Sequence, residues 1–456
     1  MSAVYYTLGV VVFVVAILVS IGLHELGHMI PAKKFGGKVT QYFIGFGPTV
    51  WSRTRGETEY GIKAIPLGGY VKIVGMLPPT VDAVTGVADE VTYDEQGNQV
   101  VKVRKSNTGL FTQLISDARA AEWEHVKPGD ADRLFYKMPW WKKVVVMAGG
   151  PSVNILIAFI IFLGVFATYG SRSLEPDAGR PVIDTVSACV IPYVEEGRAC
   201  TKDDPPTPAV EAGLRPGDVI TSFNGTEITS WEQFRALIRG NESGKAVIGY
   251  ERDGQALVGR TSTTVQARPT SEKDFSLTQV GFLGVTPVAH VAITRGGPIY
   301  TLQQMGTMAK DTFEALGKLP VKVWGVARAI VGLQERSPDS PVSIVGGGRI
   351  AGETAAHQDF PIAEKLVFLL MLVAGFNFFI GMFNFVPLLP LDGGHIAGAL
   401  WEALRRAAAK LRGRPDPGYV DVAKLLPIAY VVAVAMLIMG VVLIVGDLVV
   451  PLHIES

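Results

Sequence analysis

The chain has 456 residues, 48% hydrophobic and only 18% charged, with a mean hydropathy of +0.30, a balance too apolar for an ordinary soluble enzyme and one that puts a membrane protein first. Lys and Arg match Asp and Glu at 42 each, so no overall charge points to nucleic acid or an acidic partner, and no nucleic-acid role is expected. Two cysteines exclude a disulfide-dense scaffold and a cysteine-ligated zinc finger.

Four stretches are apolar over the roughly 20 residues that a helix needs to cross a bilayer: 1–30, 144–169, 364–390 and 425–450. The first has no basic residue before its apolar run and no small-residue cleavage site after it, so it reads as a retained helix and not a secretory signal. Near its end stands His24-Glu25-Leu26-Gly27-His28. Residues four apart share a helix face, so both imidazoles can reach one metal ion while Glu25 stands close enough to accept a proton from water. A polar helix end facing water by chance is the bland alternative. Against it, three ionisable side chains in an apolar helix are costly unless they line a functional interior.

Residues 31–143 are expected to hold a membrane-associated β-sheet over 41–76, where aromatic residues alternate with polar ones between Gly and Pro punctuation, followed by a mobile loop over 77–132. The free edge of such a sheet could capture an unwound substrate by strand addition, or the sheet could merely brace the helices. Lys33, Lys34, Lys38, Arg53 and Arg55 follow the first helix and Lys137, Lys142 and Lys143 precede the second. Arg405, Arg406, Lys410, Arg412 and Arg414 fall between the third and fourth, in a stretch read as a short Leu-Asp-Gly-Gly segment and a basic loop over 391–424. These loops are therefore expected on the cytoplasmic side of the plasma membrane, with both termini and the region between helices two and three outside.

Within that outer region, Pro208-Ala-Val-Glu-Ala-Gly-Leu-Arg-Pro-Gly-Asp218 leads into a strand and an Asn224-Gly225 hairpin signal, and a helical pattern follows. The order resembles the PDZ domains of bacterial proteases and sets one domain at 181–267, able either to dock a peptide ligand or to act as a spacer or steric filter. Cys189 and Cys200 lie on this side, where a disulfide is permitted. A connecting region over 268–363 carries an amphipathic helix pattern from 299 to 333. The fold class is thus a polytopic α-helical membrane protein with four transmembrane helices, a membrane-associated β-sheet and one extracytoplasmic α+β PDZ domain.

A hydrolytic zinc needs a third protein ligand and an open position. The third helix ends in Asn384-Phe-Val-Pro-Leu-Leu-Pro-Leu-Asp392-Gly-Gly-His395, and by the topology above it runs inward like the first, bringing Asp392 to the depth of His28. His395 is a rival ligand that spacing does not eliminate. Asn384 could hydrogen-bond within the bundle or hold a substrate backbone or oxyanion.

Together, His24-Glu-Leu-Gly-His28, Ala148-Gly-Gly-Pro-Ser-Val-Asn154 and the 384–395 segment look like the site-2 protease family, in its bacterial RseP-type branch. The PDZ-like segment, Ile65-Pro-Leu-Gly-Gly-Tyr70 and Pro341-Val-Ser-Ile-Val345 fit the same branch, so the resemblance covers nearly the whole chain in order. It implies that zinc is held by His24, His28 and Asp392, with Glu25 as the catalytic base. It further implies that Asn384 and the sheet, including Gly68, Gly69 and Tyr70, bind substrate, and that the substrates are single-pass proteins of the bilayer such as anti-sigma factors, cut in their membrane helix after a first protease has trimmed them. The best-known members of that branch carry two PDZ domains, and this chain departs from them in carrying one recognisable copy. A transporter would instead show internal inverted repeats, which the four helices lack, and a non-enzymatic scaffold would bind no stoichiometric zinc.

Overall fold

A computed structural model describes residues 2–78, 91–93, 99–101, 110–123, 126, 128–176, 179–193, 199–242, 244–270, 277–358 and 360–452. The chain divides into two compact units, Met1–Tyr169 with Gly296–Ser456, and Gly170–Arg295.

The first unit begins with α1 (Ser2–Lys34), continuous through the HExxH segment because no glycine turn or capping residue interrupts its apolar run. Two long antiparallel strands follow, β1 (Val39–Arg55) and β2 (Thr58–Ile73), joined at Gly56, whose φ of 65° suits glycine. The sheet expected over 41–76 is one extended two-stranded ribbon; its glycines and Pro48 are absorbed by register shifts and do not break it. The ribbon is tied to α1 where Tyr42 donates to the carbonyl of Gly22 at 2.8 Å. Its far end exposes Val50 and Trp51.

The loop expected over 77–132 contains structure: strands β3 (Val91–Tyr93) and β4 (Gln99–Val101), then helix α2 (Leu110–Trp123). Residues 79–90, 94–98, 102–109, 124, 125 and 127 of that expectation lie outside the described residues. Long-range contacts, which local periodicity does not report, hold α2: Arg119 pairs with Asp421 at 2.6 Å, and the Glu122 carboxylate accepts from the amides of Gly75 and Met76. Helix α3 (Trp140–Thr168) then packs along α1.

The second unit is built from β5 (Ser171–Pro176), β6 (Ile183–Val186), α4 (Pro208–Glu211), β7 (Val219–Phe223), β8 (Thr226–Glu227), α5 (Trp231–Gly240), β9 (Lys245–Arg252), β10 (Gln255–Ser262), β11 (Thr264–Pro269), β12 (Leu277–Phe282), β13 (Val285–Pro287) and β14 (Ala289–Thr294). Its largest sheet has the order β10-β9-β7-β8. Asn224 and Gly225, both at positive φ, make the β7–β8 turn, and a core of Ile183, Ile220, Phe223, Phe234, Ile248 and Leu283 sits under α5. Asp218 is fully buried and held by Arg252 at 2.7 Å. Cys189 and Cys200 are joined by a disulfide. The unit extends on both sides of the 181–267 interval, because β5 pairs with β14 and β6 with β13.

The chain returns to the first unit with α6 (Pro298–Ile330), α7 (Ile344–Ala356), α8 (Ile362–Asn384), α9 (Asp392–Leu411) and α10 (Leu426–Val449). Among the described residues, four helical stretches are long and apolar enough to cross a membrane: Ala3–Lys34, Trp140–Thr168, Ile362–Asn384 and Val422–Val449. The basic loop expected over 391–424 is corrected by α9, which has 20 residues. The glycine pair at its start and the cluster of arginines mask a helix whose Leu400, Leu404 and Leu411 recur at helical spacing.

Asp447 lies within α10 and is 2% exposed, yet its carboxylate is fully engaged. Arg336 donates to it at 2.8 Å, and the amides of Ser343 and Gly346 donate at 2.7 and 3.1 Å, which pins the start of α7 to α10. The Pro341–Val345 motif thus serves a structural tie. Asp447→Leu leaves Arg336 buried and uncompensated and is expected to cost about 3–5 kcal/mol. A thermal melt checks this, with partial recovery expected in the Arg336→Leu/Asp447→Leu double variant.

Candidate metal centre

Helices α1, α3 and α9 meet where His24, His28 and Asp392 converge. The two imidazole Nε2 atoms are 3.2 Å apart, and Asp392 Oδ2 lies 3.4 Å from His24 Nε2 and 3.3 Å from His28 Nε2. An ion bound tetrahedrally at about 2.0–2.1 Å from each ligand requires ligand atoms separated by roughly 3.3–3.4 Å. The three donor atoms already form that triangle, and their chemistry, two imidazoles and one carboxylate, suits zinc.

The remaining imidazole nitrogens fix the tautomers. His28 Nδ1 donates to the Val146 carbonyl at 2.8 Å, and His24 Nδ1 donates to Asn154 Oδ1 at 3.1 Å. Both Nε2 atoms therefore point their lone pairs at the centre. Both partners come from α3, which approaches α1 closely because Gly27 and Gly149 face each other; a Cβ on either would strike the other's backbone. Gly150 sits under the ligands, where a Cβ would collide with His28 Nε2 and come within 2.8 Å of His24 Nε2.

Asp392 is the first residue of α9, reached through 385–391 after α8 ends. Gly393 and Gly394 have no positive φ; they are needed for close approach, since a Cβ on Gly394 would lie 2.6 Å from the Leu389 nitrogen and one on Gly393 would strike the Val386 carbonyl. Burial alone would raise the Asp392 carboxyl, but hydrogen bonds and charge from His24 and His28 outweigh it and hold the group well below the usual carboxylate range. It is an anion at neutral pH.

A cavity of ≈ 380 Å³ opens at the triangle, lined by Glu25, Gly68, Gly69, Tyr70, Asn384 and His395 among others. Glu25 is 9% exposed and faces the ribbon at Gly69, where a Cβ would come within 3.0 Å of its Cγ. Tyr70 stacks on Phe43, with ring centroids 5.6 Å apart. Asn384 donates to the Ile380 carbonyl at 3.1 Å and lines the cavity outside the donor triangle. His395 also stays outside the triangle, and burial pushes its imidazole below the ordinary range.

Sequence reasoning did not assign a task to Asn154 or Gly150. A buried amide in an apolar helix was the available signal for the first; Asn154 is 1% exposed. Asn154→Ala removes the acceptor that orients His24 and is expected to weaken zinc binding by about 10–100-fold, which competition with a calibrated chelator measures.

Membrane-length helices around a two-histidine, one-carboxylate donor set beside a glutamate define a membrane metallohydrolase. The chain belongs to peptidase family M50, the site-2 protease family, whose profile matches residues 12–426. It is similar to the zinc metalloprotease Rip1 of Mycobacterium tuberculosis, with 34% identity over 98% of this chain and 99% of that one. The Rip1 of Mycolicibacterium smegmatis is also 34% identical, over the same shares. The regulator of sigma-W protease RasP of Bacillus subtilis is 23% identical over 87% of this chain and 90% of its own. The protein is accordingly a zinc metalloprotease of the membrane, with Zn2+ as its cofactor.

Proposed function

We propose that the protein hydrolyses a peptide bond inside the transmembrane segment of a single-pass membrane protein, with zinc held by His24, His28 and Asp392 and with Glu25 as general base. The observation that carries this is the donor triangle of tetrahedral dimensions with Glu25 beside it, on a helix long and apolar enough to span a bilayer.

Zinc, when bound, supplies Lewis-acid polarisation of the scissile carbonyl and brings the pKa of water toward about 7. Glu25 accepts the proton of the attacking water and delivers it to the departing amide nitrogen. The imidazoles stay oriented through Val146 and Asn154, so the proton traffic is left to Glu25. A helical peptide bond is shielded by its own hydrogen bonds, so the substrate has to unwind first. The β1–β2 ribbon passes Glu25 at Gly69 and offers backbone groups for an extended segment, while Asn384 faces the same cavity as a donor to substrate carbonyls.

The metal lies toward the cytoplasm, as the Lys and Arg distribution favours, and the second unit lies outside the plasma membrane. That unit reads as one PDZ domain, supported by its four-stranded sheet, the helix α5 and the buried Asp218 corner; it would dock a peptide end or exclude untrimmed substrates. A sigma-factor regulator among the similar proteins supports an anti-sigma factor as substrate.

The test is purified protein in vesicles with a single-pass anti-sigma factor, the cut mapped by mass spectrometry. Cleavage within the membrane segment, abolished by chelation and restored by zinc, is the expected result. Cleavage confined to the soluble part, or unaffected by chelation, overturns the proposal.

A further inference from the structure

Helix α9 does more in this structure than present Asp392. One face packs on α3 and buries Ala399 and Glu402. The opposite face is apolar and exposed among the described residues: Leu400, Trp401, Leu404 and Leu411 are 48%, 54%, 59% and 88% exposed. At about 100° per residue these four fall within one third of the helix circumference. Arg405 and Arg412 flank the stripe on one side and Lys410 on the other, and Arg414 follows the last turn.

The exposed charges of the helix itself are of one sign, and Asp416 just beyond it pairs with Arg406 at 3.4 Å. The only acids between 392 and 414 are Asp392, which faces the histidines, and Glu402, which is 1% exposed and pairs with Lys143 at 2.7 Å. The helix is also fixed in height. Residues 385–391 alone separate it from the membrane-length α8, and the next membrane-length stretch starts at Val422. An apolar stripe bordered by cations and an indole, tethered at bilayer level on both sides, has the chemistry of a helix lying in the plane of an anionic lipid surface.

We propose that α9 is a docking surface for anionic phospholipid, with Leu400, Trp401, Leu404 and Leu411 among the acyl chains and Arg405, Lys410, Arg412 and Arg414 on the headgroups. Because Asp392 is the first residue of the same helix, leaflet composition then bears on where the carboxylate stands. The inference requires the membrane reading but not the ligand assignment.

The experiment uses full-length Leu404→Cys protein carrying an environment-sensitive fluorophore, Cys189 and Cys200 being bonded to each other. It is reconstituted in phosphatidylcholine vesicles with and without phosphatidylglycerol, and a second label at Leu411→Cys guards against a local defect. The expected result is a blue-shifted emission that is larger with phosphatidylglycerol, shrinks at high salt, and loses its phosphatidylglycerol-dependent part in Lys410→Gln/Arg412→Gln/Arg414→Gln protein of unchanged zinc content. Water-like emission in both vesicles overturns the proposal, as does emission indifferent to composition and to the triple substitution. A shift seen only when a second protein is added overturns it too, assigning the face to a protein partner.

Discussion

Glu25→Gln protein is expected to retain stoichiometric zinc and lose cleavage by at least roughly 10²–10⁴-fold, the range that removal of a general acid–base group produces. The substitution keeps the volume and the hydrogen-bonding reach of the side chain, so the cavity against Gly69 is left intact. Glutamine has no basic lone pair at neutral pH, and the attacking water keeps its proton. The donor triangle does not include Glu25, which is why metal content and activity separate. A cleavage assay on reconstituted protein, paired with elemental analysis of the same sample, reads both. Activity near wild type would remove Glu25 from its role.

The second large effect is expected from Gly150→Ala, a single added methyl. Most glycines in transmembrane helices tolerate such a change when the space beside them is open, as at Gly164 in the same helix, where an added Cβ meets nothing within 4 Å. At Gly150 the methyl meets His28 Nε2 and His24 Nε2. Those atoms cannot yield without leaving the metal position, and α3 cannot back away without breaking the Gly27–Gly149 approach. Zinc content is expected to fall to a small fraction of wild type in Gly150→Ala and to be unchanged in Gly164→Ala. Circular dichroism should be the same for both, since the bundle is held elsewhere by contacts such as the Phe162, Phe166 and Phe378 cluster.

The four membrane-length helices were legible in the sequence because the bilayer imposes a length and an apolar composition that a single window detects. The two imidazoles were equally legible, since their spacing is a property of one helix. Asp392 was legible as a candidate at the depth of His28, but its preference over His395 came from the resemblance alone, because its proximity to His28 depends on two helix crossings and on the tight 385–391 turn. The sheet over 41–76 was legible, its strand lengths and α2 less so, for different reasons. The ladder accommodates the glycines and Pro48 of β1 and β2 by register shifts that a local pattern does not report, and α2 is held by Arg119–Asp421, a contact across 302 positions. Asn154 could be seen as an anomalous amide in an apolar helix, but its partner, His24, lies 130 residues away.

On the proposed assignment Asp392, and not His395, completes the zinc site. Zinc per chain, measured by elemental analysis in wild type, Asp392→Asn and His395→Ala after identical dialysis, tests it directly. The geometry predicts near-stoichiometric metal in wild type and His395→Ala and a deep loss in Asp392→Asn; full zinc in Asp392→Asn with loss in His395→Ala would contradict it.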